Sequence, residues 1–202
     1  MLFVMSVTVK WYDGDMRWQP NARGRLEQAA VALYEEQGFE QTTVAEIAKR
    51  AGLTERTFFR YFADKREVLF SGSDVLKGLL ADAVVGAPAS ASPIDAVTAG
   101  LQAIAGAFAG RREYARQRRT IIAANADLQE RELIKLASLA SVVAEALRRR
   151  GVGEPAARLA AEAGIAVFHV AFERWVDQAD QQNLWPFIRE TVGEMKAVTS
   201  GN

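Results

Sequence analysis

The stretch that most constrains the fold of this chain is residues 42–65, which has the residue pattern of two short helices joined by a tight turn. A capping box begins at Thr43, where a hydroxyl is followed three residues later by a carboxylate. Gly52 is well suited to end this first helix, because glycine adopts the left-handed conformation at little cost. Thr54 can cap a second helix over Glu55–Phe62. Two helices joined by such a turn are typical of a helix-turn-helix, whose second helix enters the DNA major groove.

The second helix of this pair has two different faces. Phe58, Tyr61 and Phe62 recur at helical spacing and predict one aromatic stripe. Arg56 and Arg60 lie four residues apart and share another face, from which arginine can make paired contacts with a guanine edge. The side chains predicted to hold phosphate oxygens are Thr42, Thr57, Tyr61 and Lys65, and the predicted DNA-binding set also includes the two cap residues Thr43 and Thr54. The alternative interpretation is a solvated face on a small helical subdomain.

The local charge favours the DNA-binding interpretation. Between Lys49 and Arg66 there are six basic and two acidic residues, a net charge of +4, whereas the whole chain has a formal net charge of +0 and a pI near 6.6. One basic patch on a neutral protein indicates localised contact with phosphates rather than general binding to polyanions.

From about Arg23 to Leu69 the sequence resembles the TetR family of bacterial transcriptional regulators. The most specific part is GLTERTFFRYFADKREVL, and the preceding GFEQTTVAEIAKRAG adds to it. The resemblance implies a three-helix DNA-binding head, a long connecting fourth helix, and an all-helical C-terminal domain that usually binds a small effector and dimerises through its last two helices. Family members are mostly repressors that the effector releases from DNA.

The family pattern also bears on individual residues. It often has Tyr where this chain has Phe59, and that hydroxyl commonly touches phosphate, so Tyr61 and Lys65 are expected to carry more of the phosphate contact here. Arg23 and Arg25 lie near the start of the first helix, where the family often has basic residues that contact the DNA backbone. The alternative to such backbone contacts is that both arginines are solvated at a fraying helix terminus. Of the two, Arg23 belongs to the predicted DNA-binding set.

The predicted fold class is all-α with about nine helices. Residues 1–20 have no helical periodicity and are expected to form an arm. The alternative is that the translation start has been assigned too far upstream, with Met5 or Met16 as the later start. Residues 21–66 form the predicted DNA-binding domain and residues 67–202 the predicted effector-binding and dimerisation domain. Asp64 is expected to cap one continuous fourth helix that runs to about Val84.

The C-terminal half supplies candidate effector contacts. The stretch RREYARQRRTIIAANADLQERELIKLASLA resembles the subgroup that includes the mycofactocin-system regulator, which links the chain to acyl-CoA-type effectors. Arg118 is the sharpest candidate, because a guanidinium suits an effector carboxylate or phosphate. For each candidate the alternative is an ordinary core or surface role. The full set of polar or aromatic side chains within these helices is Gln102, Phe108, Tyr114, Arg118, His169 and Trp175.

Composition narrows the remaining classes of protein. The chain has no cysteine and one histidine, so disulfides, thiolate catalysis and multi-histidine metal sites are not expected. No nucleophile–base pair or glycine-rich phosphate loop supports an enzyme, and no cofactor or metal is predicted. We expect no transmembrane span or signal peptide, and a cytoplasmic location. The predicted partners are a near-palindromic DNA duplex, a second copy of the chain and a small effector. An interaction module that pairs with a related regulator without binding DNA is the alternative.

Overall fold

The computed structural model describes residues 21–178 and 183–200, and in these ranges the chain is all-helical, as predicted. The arm predicted for residues 1–20 lies outside the described residues. None of the described helices is long and apolar enough to cross a bilayer. The described elements are α1 (Ala22–Gln37), α2 (Val44–Arg50), α3 (Glu55–Tyr61), the 3-10 turn η1 (Glu67–Phe70), α4 (Ser73–Gly86), α5 (Pro93–Ala107), α6 (Arg112–Ala123), α7 (Ala126–Arg149), α8 (Ala156–Asp177) and α9 (Trp185–Ser200).

Helices α1 to α3 pack around one apolar core, which we call the head core. Leu26 of α1, Ile47 of α2 and Phe58 of α3 are completely buried in it. Phe62 completes the buried side of α3, with its ring centroid 5.4 Å from that of Phe58. Tyr61, the third residue of the predicted aromatic stripe, is exposed, so only Phe58 and Phe62 of the stripe are buried.

The fourth helix is interrupted, in contrast to the continuous helix predicted from Asp64 onward. The Asp64 carboxylate does accept hydrogen bonds from the N–H groups of Arg66 and Glu67, but these bonds lie at the start of the short turn η1, whose N-cap residue is Arg66. Gly72 then adopts φ = +86°, a left-handed conformation that breaks the helical path, and α4 begins at the next residue. The apolar periodicity of this segment continues across Gly72, so the sequence pattern does not show where the helix is interrupted.

Helices α4 to α9 surround a second core, centred on α5 and α8. The two helices approach closely at Gly164, where a Cβ atom would lie 2.2 Å from Cγ1 of Val97. The C-terminus of α4 is held by Arg150, whose guanidinium donates to the carbonyl oxygens of Ala87 (2.6 Å) and Pro88 (2.7 Å). This arginine therefore satisfies carbonyl groups that a helix end leaves without partners.

The head core does not end at the predicted boundary after residue 66. It continues through Val68, Leu69 and Phe70 of η1, and it includes Ile121 and Ile122 of α6 and Leu128 of α7. The corner between α6 and α7 therefore packs into the same core as α3. Because protein cores are close-packed, a shift of this corner must be accommodated by the head.

Candidate nucleic-acid interface

The first helix of the helix-turn-helix begins in a complete capping box. The N–H of Glu46 donates to the Thr43 hydroxyl at 3.2 Å, and the N–H of Thr43 donates to the Glu46 carboxylate at 2.8 Å. The hydrogen bond from the Thr43 backbone lowers the pKa of the Glu46 carboxyl, so it stays ionised beside the positive helix end. The sequence prediction of this box is confirmed.

The turn and the second helix follow the predicted pattern. Gly52 has φ = +63°, and the N–H of Leu53 donates to the Ala48 carbonyl oxygen at 2.8 Å, which closes α2. The Thr54 hydroxyl accepts from the N–H of Thr57 at 3.2 Å and so caps α3. Both ends of the turn are thus fixed by local hydrogen bonds.

Two contacts from outside the turn hold the head together. The Lys65 ammonium donates to the carbonyl oxygens of Phe39 (2.8 Å), Thr42 (3.0 Å) and Glu40 (3.1 Å). The Tyr34 hydroxyl, whose pKa is raised by burial, donates to the Lys65 carbonyl oxygen at 2.7 Å. The α1–α2 loop is therefore tied to the segment that follows α3.

These contacts correct two predicted phosphate ligands. Lys65 uses its three N–H groups on carbonyl oxygens within the head, so it acts as an internal lock. Thr42 is buried, and its hydroxyl donates to the Gly38 carbonyl oxygen at 2.8 Å. Neither side chain is therefore presented to a duplex. The sequence does not show that these side chains are engaged inside the head, because their partner groups are backbone carbonyls.

The outward side of α3 carries the predicted arginines. Both Arg56 and Arg60 are exposed. Within the described residues, Arg56 makes no side-chain hydrogen bond or ion pair. Arg60 donates to the hydroxyl of Tyr61 at 3.2 Å and lies over its ring, 4.9 Å from the centroid. No carboxylate in the described ranges neutralises either guanidinium, so both charges face outward as predicted.

Part of the local positive charge is neutralised nearby. Arg50 is paired with Glu36 of α1, with Nη1 and Oε2 2.6 Å apart, and Arg66 is paired with Asp64 at 2.8 Å. Arg25 donates to the Ala51 carbonyl oxygen and thus closes the end of α2. These arginines stabilise the head, whereas Arg56 and Arg60 on α3 keep no carboxylate partner among the described residues.

Arg23 remains accessible at the start of α1. Its side chain is about half exposed, and its Nε lies 3.9 Å from a carboxylate oxygen of Glu27. Its guanidinium also lies 5.5 Å from the centroid of the Phe62 ring. This is a loose set of contacts, which leaves the guanidinium free to turn toward a phosphate.

Two sequence comparisons cover most of the chain. Residues 27–71 match the bacterial regulatory proteins of the tetR family, and residues 91–200, more than half of the chain, match the MftR C-terminal domain. The chain belongs to the TetR family of bacterial transcriptional regulators. The resemblance seen in the sequence is thereby confirmed for both halves.

One curated TetR-family relative is the HTH-type transcriptional regulator TcmR of Streptomyces glaucescens, 34% identical over 84 residues. The match covers 42% of this chain and 37% of TcmR, so it spans little more than a third of that relative.

Solved structures share the TetR fold over most of the chain. The fatty acid degradation regulator FadR of Bacillus halodurans is 19% identical, with a TM-score of 0.57. The match covers 89% of this chain and 96% of the FadR chain. FadR of Thermus thermophilus, solved with lauroyl-CoA, is 23% identical, with a TM-score of 0.52 and coverages of 86% and 92%. SmeT, the repressor of the Stenotrophomonas maltophilia multidrug efflux pump SmeDEF, is 18% identical, with a TM-score of 0.56 and coverages of 87% and 89%.

The predicted effector contacts are spread over different places in this TetR chain. Gln102 and His169 are exposed, and His169 lies 3.9 Å from a carboxylate oxygen of Glu173. Tyr114 packs against the head core, and burial raises the pKa of its hydroxyl. These three side chains do not converge on a shared site.

Arg118 also faces the head, where its partners are already in place. Its Nε donates to the Leu69 carbonyl oxygen at 2.6 Å, and its Nη1 donates to Glu132 at 3.0 Å. Its guanidinium lies 5.0 Å from the centroid of the Phe70 ring. A carbonyl and a carboxylate therefore accept from two of its five N–H groups, and a role for Arg118 in binding an effector carboxylate stays a prediction.

Phe108 and Trp175 do come together, in an aromatic cluster inside the second core. Their ring centroids are 6.0 Å apart, and Phe168 and Phe172 of α8 complete the cluster. Trp175 is completely buried, yet none of the described residues offers an acceptor to its Nε1–H. A buried donor without a partner carries a free-energy cost that an acceptor on a bound molecule would remove.

A second set of functional side chains, which the sequence did not single out, links the head to the body. Glu67 of η1 accepts from Nε of Arg131 at 2.7 Å and from Nζ of Lys135 at 3.0 Å, and both cations belong to α7. We call this contact the Glu67 latch. Glu67 lies 64 and 68 positions before its two partners in the chain, so no local signal pointed to this contact.

Proposed function

We propose that this protein is a homodimeric repressor that binds a near-palindromic operator through α3 and leaves it when a small effector binds. The observation that carries the DNA-binding part is the exposed, carboxylate-free pair Arg56 and Arg60 on the second helix of a capped helix-turn-helix. Guanidinium groups in this position suit the O6 and N7 acceptors of guanine in the major groove.

The proposed phosphate contacts come from side chains around this pair. They are Arg23, Thr43, Thr54, Thr57 and Tyr61, and all of them are at least partly exposed. Such contacts fix the register of the helix on the duplex, while the arginines read bases.

Dimerisation through α8 and α9 is supported by apolar side chains that these helices leave in contact with solvent. Leu159 is 66% exposed and Val170 is 43% exposed on α8, and Val198 is 83% exposed on α9. Ala163 and Ala166 lie between the two α8 residues at helical spacing and would extend the surface. A twofold pairing of this surface would present two copies of α3 to two half-sites of one operator.

The proposed effector is an acyl-CoA-like molecule. The solved FadR structure that contains lauroyl-CoA supports this class, as does the match to the MftR C-terminal domain. In this chain the cluster of Phe108, Phe168, Phe172 and Trp175 offers apolar surface for an acyl chain, and the unpaired Trp175 Nε1–H suits a carbonyl oxygen. Pockets for such ligands are mostly apolar with few polar groups.

Release from DNA requires that the effector favour one arrangement of the heads over another. The Glu67 latch and the hydrogen bond from Arg118 to Leu69 connect α6 and α7 to η1, directly after the DNA-binding helices. We propose that the bound effector displaces the α6–α7 corner and that these contacts pass the displacement to the head.

A selection from random duplexes tests the DNA-binding part. The purified full chain should enrich one near-palindromic sequence, and the Arg56→Ala/Arg60→Ala variant should enrich none under the same conditions. Enrichment of no duplex by the wild type would favour the alternative of an interaction module that pairs with a related regulator.

A melting screen tests the effector part. Any molecule that binds the native state raises the apparent melting temperature. Lauroyl-CoA should raise it and weaken binding to the selected operator, whereas coenzyme A without an acyl chain should do neither. Equal responses to both compounds would contradict an acyl-binding pocket.

A further inference from the structure

Phe59 is a large apolar side chain on the face of α3 that carries the arginines. It follows Arg56 by three residues, so the Phe59 and Arg56 side chains are neighbours on the helix surface, and Arg60 lies on the other side of Arg56. The ring is 55% exposed, whereas the neighbouring Phe58 is completely buried. The outward face of α3 therefore carries both arginines, with the apolar Phe59 ring at its edge beside Arg56.

The exposed ring is held in place from below. Its centroid lies 5.5 Å from that of Phe58, and the two ring planes meet at 83° in an edge-to-face contact. Since Phe58 is fixed in the head core, this contact limits the positions that the Phe59 ring can take. A ring that is both exposed and restrained can dock on a partner with little further loss of side-chain entropy.

The chemistry of the ring selects its partner on a duplex. Phenylalanine has no hydroxyl, so it cannot hold a phosphate oxygen by a side-chain hydrogen bond. The major groove offers one apolar group among its hydrogen-bonding edges, which is the C5-methyl group of thymine, and phenylalanine is among the side chains that contact it. A ring beside Arg56 on the same helix face is carried to the groove together with that arginine.

We infer that Phe59 is a specificity-determining residue that packs against the C5-methyl group of a thymine next to a base read by Arg56 or Arg60. This inference rests on the proposed operator binding by α3. It adds a preference for one base that the two arginines alone do not provide, since the methyl group distinguishes thymine from the other three bases.

The test removes the methyl group and the ring separately. In the duplex selected by the wild-type chain, each thymine of one half-site is replaced in turn by deoxyuridine, which lacks only the C5-methyl group. At one position the wild type should bind about four-fold more weakly, the effect of losing one buried methyl-sized group. The Phe59→Ala variant should bind the thymine and deoxyuridine duplexes equally at that position.

Two controls separate this contact from general effects. The Arg56→Ala variant should still discriminate between the two duplexes, because its Phe59 ring is intact. A melting curve of Phe59→Ala should match that of the wild type, since the side chain is mostly exposed. Even if that variant folds poorly, a wild-type scan that finds no sensitive thymine overturns the contact.

The outcomes distinguish this inference from the proposed function. A wild-type chain that binds the operator but is insensitive to every deoxyuridine replacement overturns the Phe59 contact and leaves operator binding intact. Equal sensitivity of the wild type and Phe59→Ala at the same thymine assigns the methyl group to another side chain and also overturns it. A chain that binds no duplex refutes the proposed function and this inference together.

Discussion

The guanidinium of Arg60 lies 4.9 Å from the centroid of the Tyr61 ring and donates a hydrogen bond of 3.2 Å to its hydroxyl. The Tyr61 oxygen therefore acts as an acceptor toward Arg60, and its own hydrogen remains available for another acceptor. A phosphate oxygen beside the groove would complete this chain of hydrogen bonds from Arg60 through Tyr61 to DNA. The contact also restrains Arg60 before DNA arrives.

Removing only the Tyr61 hydroxyl tests this relationship. Tyr61→Phe keeps the ring under the guanidinium but deletes both the acceptor for Arg60 and the donor for phosphate. We expect operator binding to weaken by about 1.5–3 kcal/mol, the range for a hydrogen bond to a charged group. Fluorescence anisotropy of a labelled operator would measure this, and an unchanged affinity would show that the hydroxyl does not touch DNA.

Lys65 is expected to act on stability because its ammonium is bound to three carbonyl oxygens of the head. Lys65→Met keeps most of the aliphatic length and removes these donors. The free energy of unfolding should fall by about 1–3 kcal/mol, measured by urea denaturation. Lys49→Met is the matched control, since Lys49 is exposed and its loss should stay within about 0.5 kcal/mol. Similar effects for both lysines would contradict the internal lock.

The Glu67 latch should hold η1 against α7. In Glu67→Gln the carboxylate that accepts from Arg131 and Lys135 becomes neutral, so local opening of η1 should require less free energy. Hydrogen exchange followed by mass spectrometry should show faster exchange over residues 67–70. Glu145→Gln provides the control, because this exposed carboxylate also lies between two cations but within one helix. Exchange that is unchanged by Glu67→Gln would mean that packing alone holds η1.

The exposed apolar surface of α8 should be buried in the homodimer. Val170→Glu places a charge on this surface and should shift the chain toward monomer in sedimentation velocity, because an unpaired charge is costly at an interface. Leu133→Glu is the control, as Leu133 is 66% exposed on α7, outside the proposed interface. If the dimer tolerates Val170→Glu but dissociates with Leu133→Glu, the interface lies on α7 and the proposed α8 interface is wrong.

The parts of this structure that could be predicted are those encoded by neighbouring residues. The capping box at Thr43, the left-handed Gly52 and the Thr54 cap each depend on partners within four positions, so their pattern is visible in the sequence. The exposure of Arg56 and Arg60 followed from their spacing on the same short helix.

The parts that could not be predicted depend on distant backbone carbonyls. The donors of Lys65, Arg118 and Arg150 end on carbonyl oxygens 23 to 66 positions away. A sequence shows such residues only as charged side chains that are free to bind a ligand. The break at Gly72 was hidden for a related reason, because the apolar residues on both sides are buried in one core or the other.

Phe59 lies between these two cases. Its spacing of three residues from Arg56 places it on the arginine face, so the sequence contained the signal. In the sequence the position differs from the family pattern only by lacking a hydroxyl, and the structure adds the exposure of the ring and its edge-to-face contact with Phe58, on which the inferred role rests.

The affinity of the selected operator for Arg56→Ala/Arg60→Ala tests the central claim most directly, since it asks whether the bare arginine face of α3 reads DNA. Each arginine that contacts a base should contribute about 1–3 kcal/mol, so an anisotropy titration should show that the double variant binds much more weakly than the wild type. Arg149→Ala, which removes an exposed arginine at the far end of α7, should bind like the wild type. A double variant that binds the operator as tightly as the wild-type chain would contradict the account.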